Sequence, residues 1–125
     1  LVARFNAEKQ RATSTKKQQM LVVAARLKKK KFIAELLAGH PNAVLMGDFN
    51  CDPHRPEMQP LYRQTGLQPP AECVPTFPSW KPQRAIDHML VTPSLAIASM
   101  RAVPAAQSDH LALSVELDVP EAAVR

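Results

Sequence analysis

Hydrophobic and polar positions follow a helical pattern in the first third of the chain. No Gly or Pro interrupts residues 16–38, strong helix formers dominate there, and apolar residues recur three or four positions apart. Gly39 then provides a C-cap, and Pro41 blocks any continuation of a helix. The pattern therefore predicts a helix over residues 16–38, preceded by an irregular polar start over residues 1–15.

After this segment, the apolar positions are spaced as in β-strands. Residues 43–46 form a continuous apolar run between a proline and a glycine, which is typical of a buried strand. Residues 85–91 and 95–103 predict two more strands. Residues 111–117 alternate between large apolar side chains and small or polar ones, and they predict a half-exposed strand.

A short helix and a long loop are predicted between the first two of these strands. Pro56 suits the first turn of a helix over residues 56–62, and Gly66 closes it. Residues 67–83 contain five prolines and no periodicity, so they predict a long ordered loop of a kind that is often functional. Trp80 in this loop either stacks on a base of a substrate or, as we favour, is buried or anchors the loop.

Basic residues are concentrated at the start of the chain. Ten of the 16 Lys and Arg residues, but only one of the 11 Asp and Glu residues, lie within residues 1–31, and the rest of the chain is net acidic. The net charge of +5 is therefore weak evidence for a nucleic-acid substrate. We expect the lysine run at residues 28–31 to be a solvated helix face rather than a phosphate-binding patch.

The cysteines and the lack of long apolar runs exclude several classes of protein. Cys51 and Cys73 have no CxxC partner, which argues against a zinc site, and two reduced thiols in a cytoplasmic protein are favoured over a disulfide. No apolar run approaches the ~20 residues that a membrane span needs. The sequence starts with Leu1, so we expect a fragment of a longer protein.

The first candidate site motif, Gly47-Asp48-Phe49-Asn50, follows the apolar run at residues 43–46. In an extended stretch, Asp48 and Asn50 project from one face while Phe49 points into the core. The carboxylate can take a proton from water or hold Mg²⁺, and the amide can orient the water or a phosphate oxygen. The alternative is an Asx-type turn that ends the strand.

The second and third motifs combine aspartate with histidine. Asp87 lies in an apolar strand pattern, where an unpaired charge is costly, so it needs a partner, either a histidine or Arg84 through a salt bridge. His88 faces the opposite side of a regular strand and is expected to be structural. In the third motif, SDH at residues 108–110, one side chain could face a metal and the other a phosphate, with a polar turn as the alternative.

Together, these motifs resemble the C-terminal half of the endonuclease/exonuclease/phosphatase superfamily, which includes exonuclease III and deoxyribonuclease I. The similarity rests on GDFN at residues 47–50, RAIDHMLV at residues 84–91 and SDHLAL at residues 108–113, and it covers about residues 32–118. TFPSW at residues 76–80 resembles small bacterial members. The resemblance implies an α/β (α+β) fold: half of a two-sheet α/β sandwich with mainly antiparallel strands and flanking helices.

The resemblance also implies roles in the hydrolysis of a phosphodiester or phosphomonoester with Mg²⁺ or Mn²⁺ as cofactor. Asp48 would orient or deprotonate the attacking water, and Asn50 would contact the phosphate or the metal-bound water. Asp87 would pair with His110, which would stabilise the pentacovalent phosphate or transfer a proton. Asp48, Asn50 and Asp109 would be the metal ligands. The implied partner is a phosphate ester, with nucleic acids among the candidates, and no membrane.

The first half of the family fold has no counterpart in this sequence. We therefore predict a basic, mostly helical segment of uncertain origin over residues 1–31 and the C-terminal portion of the family domain over residues 32–125. The missing half, with its metal-binding Glu, is expected in the same chain or in another one. This chain alone is expected to be inactive, and the alternative function is that of a non-catalytic binding module.

Overall fold

Two three-stranded β-sheets form the framework of the protein. The computed structural model describes residues 2–7, 21–24, 30–104 and 107–121. One sheet has the strand order β1-β6-β5, and the other has the order β2-β3-β4. The strands are β1 (Val2–Ala7), β2 (Leu21–Ala24), β3 (Ala43–Asp48), β4 (Asp87–Val91), β5 (Ala96–Val103) and β6 (Ala112–Val119). The helices are α1 (Lys30–Leu37) and α2 (Gln59–Thr65), the second preceded by a 3₁₀ turn at Pro56–Met58.

Each sheet combines one parallel and one antiparallel strand pair. β1 runs parallel to β6 and β2 runs parallel to β3, whereas the β5–β6 and β3–β4 pairs are antiparallel. Two sheets with flanking helices confirm the predicted α/β (α+β) fold class. The four strands predicted from residue 43 onward are all present as β3 to β6, and only their ends differ from the prediction.

Apolar side chains on the two faces of the β2-β3-β4 sheet belong to two separate core clusters. Alternation along β3 sends Leu45 toward the helices, and it sends Val44 and Met46 toward the other sheet. Burying a leucine fully contributes about 1.5–3 kcal/mol, so both clusters are substantial. The order of layers is therefore helices, sheet, sheet. The helix-side cluster also includes Ile33, Leu37, Leu61 and Leu90, and the sheet–sheet cluster includes Met89, Val91, Leu113, Val115 and Leu117.

The N-terminal helix prediction is wrong at residues 21–24, which form β2, and within the described residues only Lys30–Leu37 is helical there. The irregular start predicted for residues 1–15 is wrong at Val2–Ala7, which form β1. The Leu-Val-Val-Ala stretch contains two β-branched residues and pairs with β3, and this long-range pairing outweighs local helix propensity. The rest of the predicted helix, with the solvated lysine run, lies outside the residues whose side chains are described.

Both strands of the basic N-terminal segment join sheets whose other strands come later in the chain. β1 lies beside β6, and β2 lies beside β3. The segment is therefore not mostly helical where the structure describes it. The proposed division of the chain at residue 31 stays a prediction.

The two α-helices are short, and each is followed by a glycine in the left-handed conformation. Gly39 has a φ of 80° and Gly66 has a φ of 73°, values that glycine adopts without the penalty of a Cβ atom. Both predicted C-terminal glycines therefore end their helices. Among the residues that the structure describes, no helix has the length and apolar character needed to cross a bilayer.

Candidate active site

The ends of β3 and β4 bring the first two motifs side by side. The strands are antiparallel, and Asp48 at the end of β3 is directly opposite Asp87 at the start of β4. The loop before β6 carries His110 to the same end of the sheet, where its ring lies close to both carboxylates. Three residues from distant parts of the sequence therefore share one site.

A short hydrogen bond fixes the histidine of this site. His110 Nδ1 lies 2.7 Å from Asp87 Oδ2, so the imidazole donates its Nδ1–H to the carboxylate. Thr76 Oγ1 donates a second hydrogen bond to the same oxygen at 2.5 Å. Thr76 is fully buried and the Asp87 side chain is only 14% exposed, so their surroundings restrain both groups. This arrangement leaves His110 Nε2 facing Asp48 Oδ2 at a distance of 3.9 Å.

The pKa of His110 lies above its ordinary value of 6.5. The hydrogen bond to Asp87 is the main cause, burial opposes it, and the charges of Asp87, Asp48 and Asp109 add to the increase. A larger fraction of the ring is therefore cationic at neutral pH than in a free histidine. Because its side chain is 25% exposed, the ring can offer this positive charge to an anionic ligand.

Asp48 uses one carboxylate oxygen for the backbone and presents the other to the site. Its Oδ1 accepts a hydrogen bond from the Asn50 N–H at 2.8 Å. This hydrogen bond forms the Asx-type turn that the sequence offered as the alternative to a functional role. Its Oδ2 faces His110. The turn and the site geometry therefore coexist in a single side chain.

Asn50 contacts this cluster through its backbone N–H, which bonds Asp48, and Asp109 is not a member of the close group of carboxylates and imidazole. Asn50 has a φ of 52°, a left-handed conformation that asparagine tolerates, so the extended arrangement predicted for Asp48 and Asn50 is wrong. Asp109 is exposed, and its charge raises the pKa of His110, but the close group consists of Asp48, Asp87 and His110. The roles of Asn50 and Asp109 as metal ligands stay predictions.

The proline-rich loop holds the histidine loop in place. The Phe77 ring lies 4.9 Å from the His110 ring, measured between centroids. The hydrogen bonds between the two loops are Leu111 N–H to Thr76 O (2.7 Å), Ser79 N–H to Asp109 O (2.7 Å) and Ser79 Oγ–H to Ser108 O (2.9 Å).

The sequence analysis did not identify Thr76 as a site residue. The only signal for Thr76 was its position in the TFPSW motif, to which no chemical role was assigned.

Ligand atoms for a divalent cation are available at this site. Asp48, Asp87 and His110 each place one ligand atom within 4.8 Å of the other two. Carboxylates suit Mg²⁺ and Mn²⁺, but Asp87 Oδ2 and His110 Nδ1 are already bonded to each other. Asp48 Oδ2 accepts no hydrogen bond from the described residues, so it is the oxygen best placed to hold a cation. The donor set therefore fits a hard divalent ion, with Asp48 as the first ligand.

His88 lies in the interior, on the opposite face of β4 from Asp87. Its side chain is 3% exposed, and its Nε2–H donates a hydrogen bond to the Cys51 carbonyl oxygen at 2.7 Å. Burial lowers the pKa of His88, although the bond to Cys51 opposes this effect. The structural role predicted for His88 is confirmed.

The geometry bears on three further alternatives from the sequence. Asp87 pairs with His110, and Arg84 makes no ion pair with any residue in the described part of the chain. Trp80 is 77% exposed, so a buried indole is wrong, and stacking on a base stays a prediction. Neither Cys51 nor Cys73 forms a disulfide, in agreement with the reduced thiols favoured from the sequence.

The fold and the site together define an α/β protein in which an aspartate–histidine pair faces a second aspartate. A sequence model of the Endonuclease/Exonuclease/phosphatase family matches residues 20–110, which include all three side chains. The match spans well over half of the sequence, and the chain belongs to this family. Members of the family in general hydrolyse phosphate esters with the help of divalent metals. No curated protein sequence matches this chain.

Proposed function

We propose that the protein hydrolyses a phosphodiester or phosphomonoester bond in a reaction that depends on Mg²⁺ or Mn²⁺. The observation that carries the proposal is the Asp87–His110 hydrogen bond, which leaves His110 Nε2 facing Asp48 Oδ2. Transfer of a phosphoryl group to water needs a general base and a positively charged hydrogen-bond donor on opposite sides of one space. The proximity of Asp48 and His110, with His110 Nε2 3.9 Å from Asp48 Oδ2, supports these two roles.

Asp48 activates the attacking water in this proposal. Its carboxylate accepts a proton from water, while the Asn50 amide orients the water or a phosphate oxygen. The water oxygen forms a bond to phosphorus as the bond to the leaving-group oxygen breaks, with the two oxygens roughly in line. The proton taken from water ends on the Asp48 carboxyl group.

His110 stabilises the negative charge that the phosphate carries during this exchange. Its raised pKa keeps the ring cationic over a wider pH range, and its Nε2–H donates a hydrogen bond to a phosphate oxygen. The same proton can pass to the leaving-group oxygen, which then departs as a neutral hydroxyl group. Asp87 and Thr76 fix the orientation of the ring and keep the second proton on Nδ1.

A divalent cation supplies positive charge that polarises the phosphoryl oxygens when it is bound. We assign Asp48, Asn50 and Asp109 as its ligands, and the carboxylate oxygens of this set support Mg²⁺ or Mn²⁺ over softer metals.

The proposed location of the protein is the cytoplasm. A nucleic acid is one candidate substrate, supported by the exposed Trp80 in the loop that also carries Thr76, since an exposed indole can stack on a base.

The test is metal-dependent hydrolysis by the full-length protein. Bis-p-nitrophenyl phosphate and DNA with an abasic site are incubated with Mn²⁺ or with EDTA. Asp48→Asn keeps the shape of the side chain but removes the base, so we expect activity to fall by roughly 100-fold or more. Asp118→Asn, at an exposed position of β6, is the matched control and should keep its activity. Full activity in Asp48→Asn, or no metal-dependent hydrolysis by the wild type, rejects the proposal.

A non-catalytic binding module is the second candidate function. It is favoured by the small number of oxygen ligands, because only two carboxylates belong to the close group in the part of the chain that is described. Titration with Mn²⁺, followed by NMR line broadening, separates the two functions. A catalytic protein binds the ion and loses this binding in Asp48→Asn, whereas a scaffold shows no such site in either protein.

A further inference from the structure

An open groove of about 370 Å³ lies next to the candidate active site. One wall is the loop after β3, from Asn50 to Arg55, and the other is the segment before β4, from Gln83 to Ile86. We call it the Arg55–Arg84 groove after the two guanidinium groups in its lining. Its volume falls within the range of about 300–1,000 Å³ that small-molecule sites occupy in proteins.

Both walls of the groove are joined along the chain to residues of the candidate active site. Asn50 lies two residues after Asp48 and donates its N–H to the Asp48 carboxylate. Ile86 immediately precedes Asp87, and its carbonyl oxygen accepts the Phe49 N–H at 2.8 Å, which ties the two walls together. The lining of the groove therefore begins two residues after Asp48 on one wall and one residue before Asp87 on the other.

The lining of the groove is positively charged in a part of the chain that is otherwise net acidic. Arg84 is exposed and makes no ion pair with the described residues. The Arg55–Glu57 contact is 3.6 Å long with both side chains more than half exposed, and such surface pairs exchange readily for a better partner. Asp52 is the one carboxylate among the described lining residues, and its Oδ1 accepts the His54 N–H.

We propose that the Arg55–Arg84 groove binds a second phosphate group of the substrate, next to the ester that is cleaved between Asp48 and His110. Guanidinium groups bind phosphate oxygens through two parallel hydrogen bonds, and they remain charged at any physiological pH. The amides of Asn50 and Gln83 add neutral donors to the same lining. This inference rests on the proposed function and narrows it to substrates with a second phosphate. The next phosphate of a nucleic-acid strand and the second phosphate of a small bisphosphorylated molecule share this chemistry.

Two esters that differ by one phosphate test the groove in the full-length protein with Mn²⁺. They are thymidine 5′-(p-nitrophenyl phosphate) and the same compound with a 3′-phosphate. We expect the 3′-phosphate to lower KM by about tenfold in the wild type, and Arg84→Gln or Arg55→Gln to remove this advantage. The KM of the ester without the 3′-phosphate should stay unchanged. Arg63→Gln, at an exposed position of α2 outside the groove, is the matched control and should behave as the wild type.

Binding without catalysis separates a failure of the groove from a failure of the proposed reaction. Thymidine 3′,5′-bisphosphate is titrated into the protein in EDTA, and a short single-stranded DNA is titrated in parallel. Arg84→Gln should weaken binding by about tenfold. If Arg84→Gln binds the bisphosphate more weakly than the wild type does, a free second phosphate is enough for binding in the groove. If only the binding of the DNA is weakened, the groove binds a phosphate of a nucleic-acid strand. Both outcomes support phosphate binding by the groove.

If the wild type and Arg84→Gln bind both probes equally, the groove does not bind a second phosphate, and this inference is rejected even if the esters are hydrolysed. The same holds if the wild type binds neither probe. If Arg84→Gln binds the probes more weakly but the wild type hydrolyses no ester, phosphate binding by the groove is supported and the proposed reaction is rejected.

Discussion

Two histidine environments show how this fold separates chemistry from stability. At the exposed end of the strands, His110 bonds the Asp87 carboxylate, and its pKa is raised. In the interior, His88 bonds the Cys51 carbonyl, and burial lowers its pKa. A carboxylate favours the imidazolium, whereas a neutral carbonyl does not compensate for the loss of water around a charged ring. The surroundings of this type of side chain therefore favour its cationic form in one region and its neutral form in the other.

Alternation along β4 creates this difference. Asp87 and His88 are adjacent, so they point to opposite faces of the sheet. Asp87 meets His110 beside Asp48, whereas the His88 ring lies 5.3 Å from the Phe49 ring, between centroids. Substituting either histidine should therefore change one property of the protein and spare the other.

Replacement of His110 should have the largest effect. His110→Gln keeps a hydrogen-bond donor near Asp87 but removes the cationic ring, so we expect metal-dependent hydrolysis to fall by about 10²–10⁴-fold. The free energy of unfolding should change by less than about 1 kcal/mol, because the side chain is partly exposed. Hydrolysis of bis-p-nitrophenyl phosphate and urea denaturation measure the two quantities. Wild-type activity in this variant would contradict the catalytic role proposed for His110.

Replacement of His88 should act on stability instead. His88→Ala leaves a cavity and removes the hydrogen bond to the Cys51 carbonyl, so we expect the free energy of unfolding to fall by about 2–4 kcal/mol. Urea denaturation measures this change, and Mn²⁺ titration of the remaining folded protein should show unaltered binding. His54→Ala, at an exposed position, is the control and should cost less than about 0.5 kcal/mol. Equal stability of His88→Ala and His54→Ala would contradict the structural role.

The meeting of Asp48 and Asp87 could be predicted because each motif adjoins a recognisable strand, and β3 and β4 are paired neighbours. His110 precedes β6 in the other sheet, so its pairing with Asp87 was expected only from the resemblance of the three motifs to the family. Thr76 could not be found in this way, since its hydrogen bond to Asp87 crosses a proline-rich loop that has no periodicity. The left-handed turn at Asn50 was also hidden, because a short polar motif fits an extended strand end and an Asx turn equally well.

The N-terminal strands could not be predicted for a different reason. β1 and β2 obtain their hydrogen-bonding partners from β6 and β3, which lie much later in the chain. The Lys, Ala and Gln residues around β2 favour a helix locally, and the residues around β1 are polar and show no clear periodicity. Pairing with a distant parallel strand leaves no local sequence pattern. From β3 onward, by contrast, apolar runs bounded by Pro and Gly made the strands visible.

Removal of the Thr76 hydroxyl should have a smaller effect, which we expect in both the stability of the protein and the pKa of His110. Thr76→Val keeps the side-chain shape but deletes the donor to Asp87, so we expect a loss of about 1–2 kcal/mol in stability. Asp87 then attracts the His110 proton more strongly, so the pKa of His110 should rise further, as NMR titration would show.

The matched control for this change is Thr92→Val. Thr92 is also buried, and its hydroxyl oxygen accepts the Ala43 N–H at the far end of β3. This variant should lose a similar amount of stability and leave the titration of His110 unchanged. If Thr76→Val also leaves that titration unchanged, Thr76 does not position the pair.

The pH dependence of stability should show the smallest effect, with opposite signs for the two histidines. The pKa of His110 is raised in the folded protein, so its contribution is complete below 6.5 and is lost as pH rises through the folded pKa. The pKa of His88 is lowered, so stability falls as pH drops below 6.5, because the unfolded chain takes up the proton more readily. Urea denaturation at about pH 5 to about pH 9 measures both trends. The stability difference between the wild type and His110→Gln should shrink toward high pH, and that between the wild type and His88→Ala should shrink toward low pH. If both differences move in the same direction, the opposite electrostatics of the two sites are wrong.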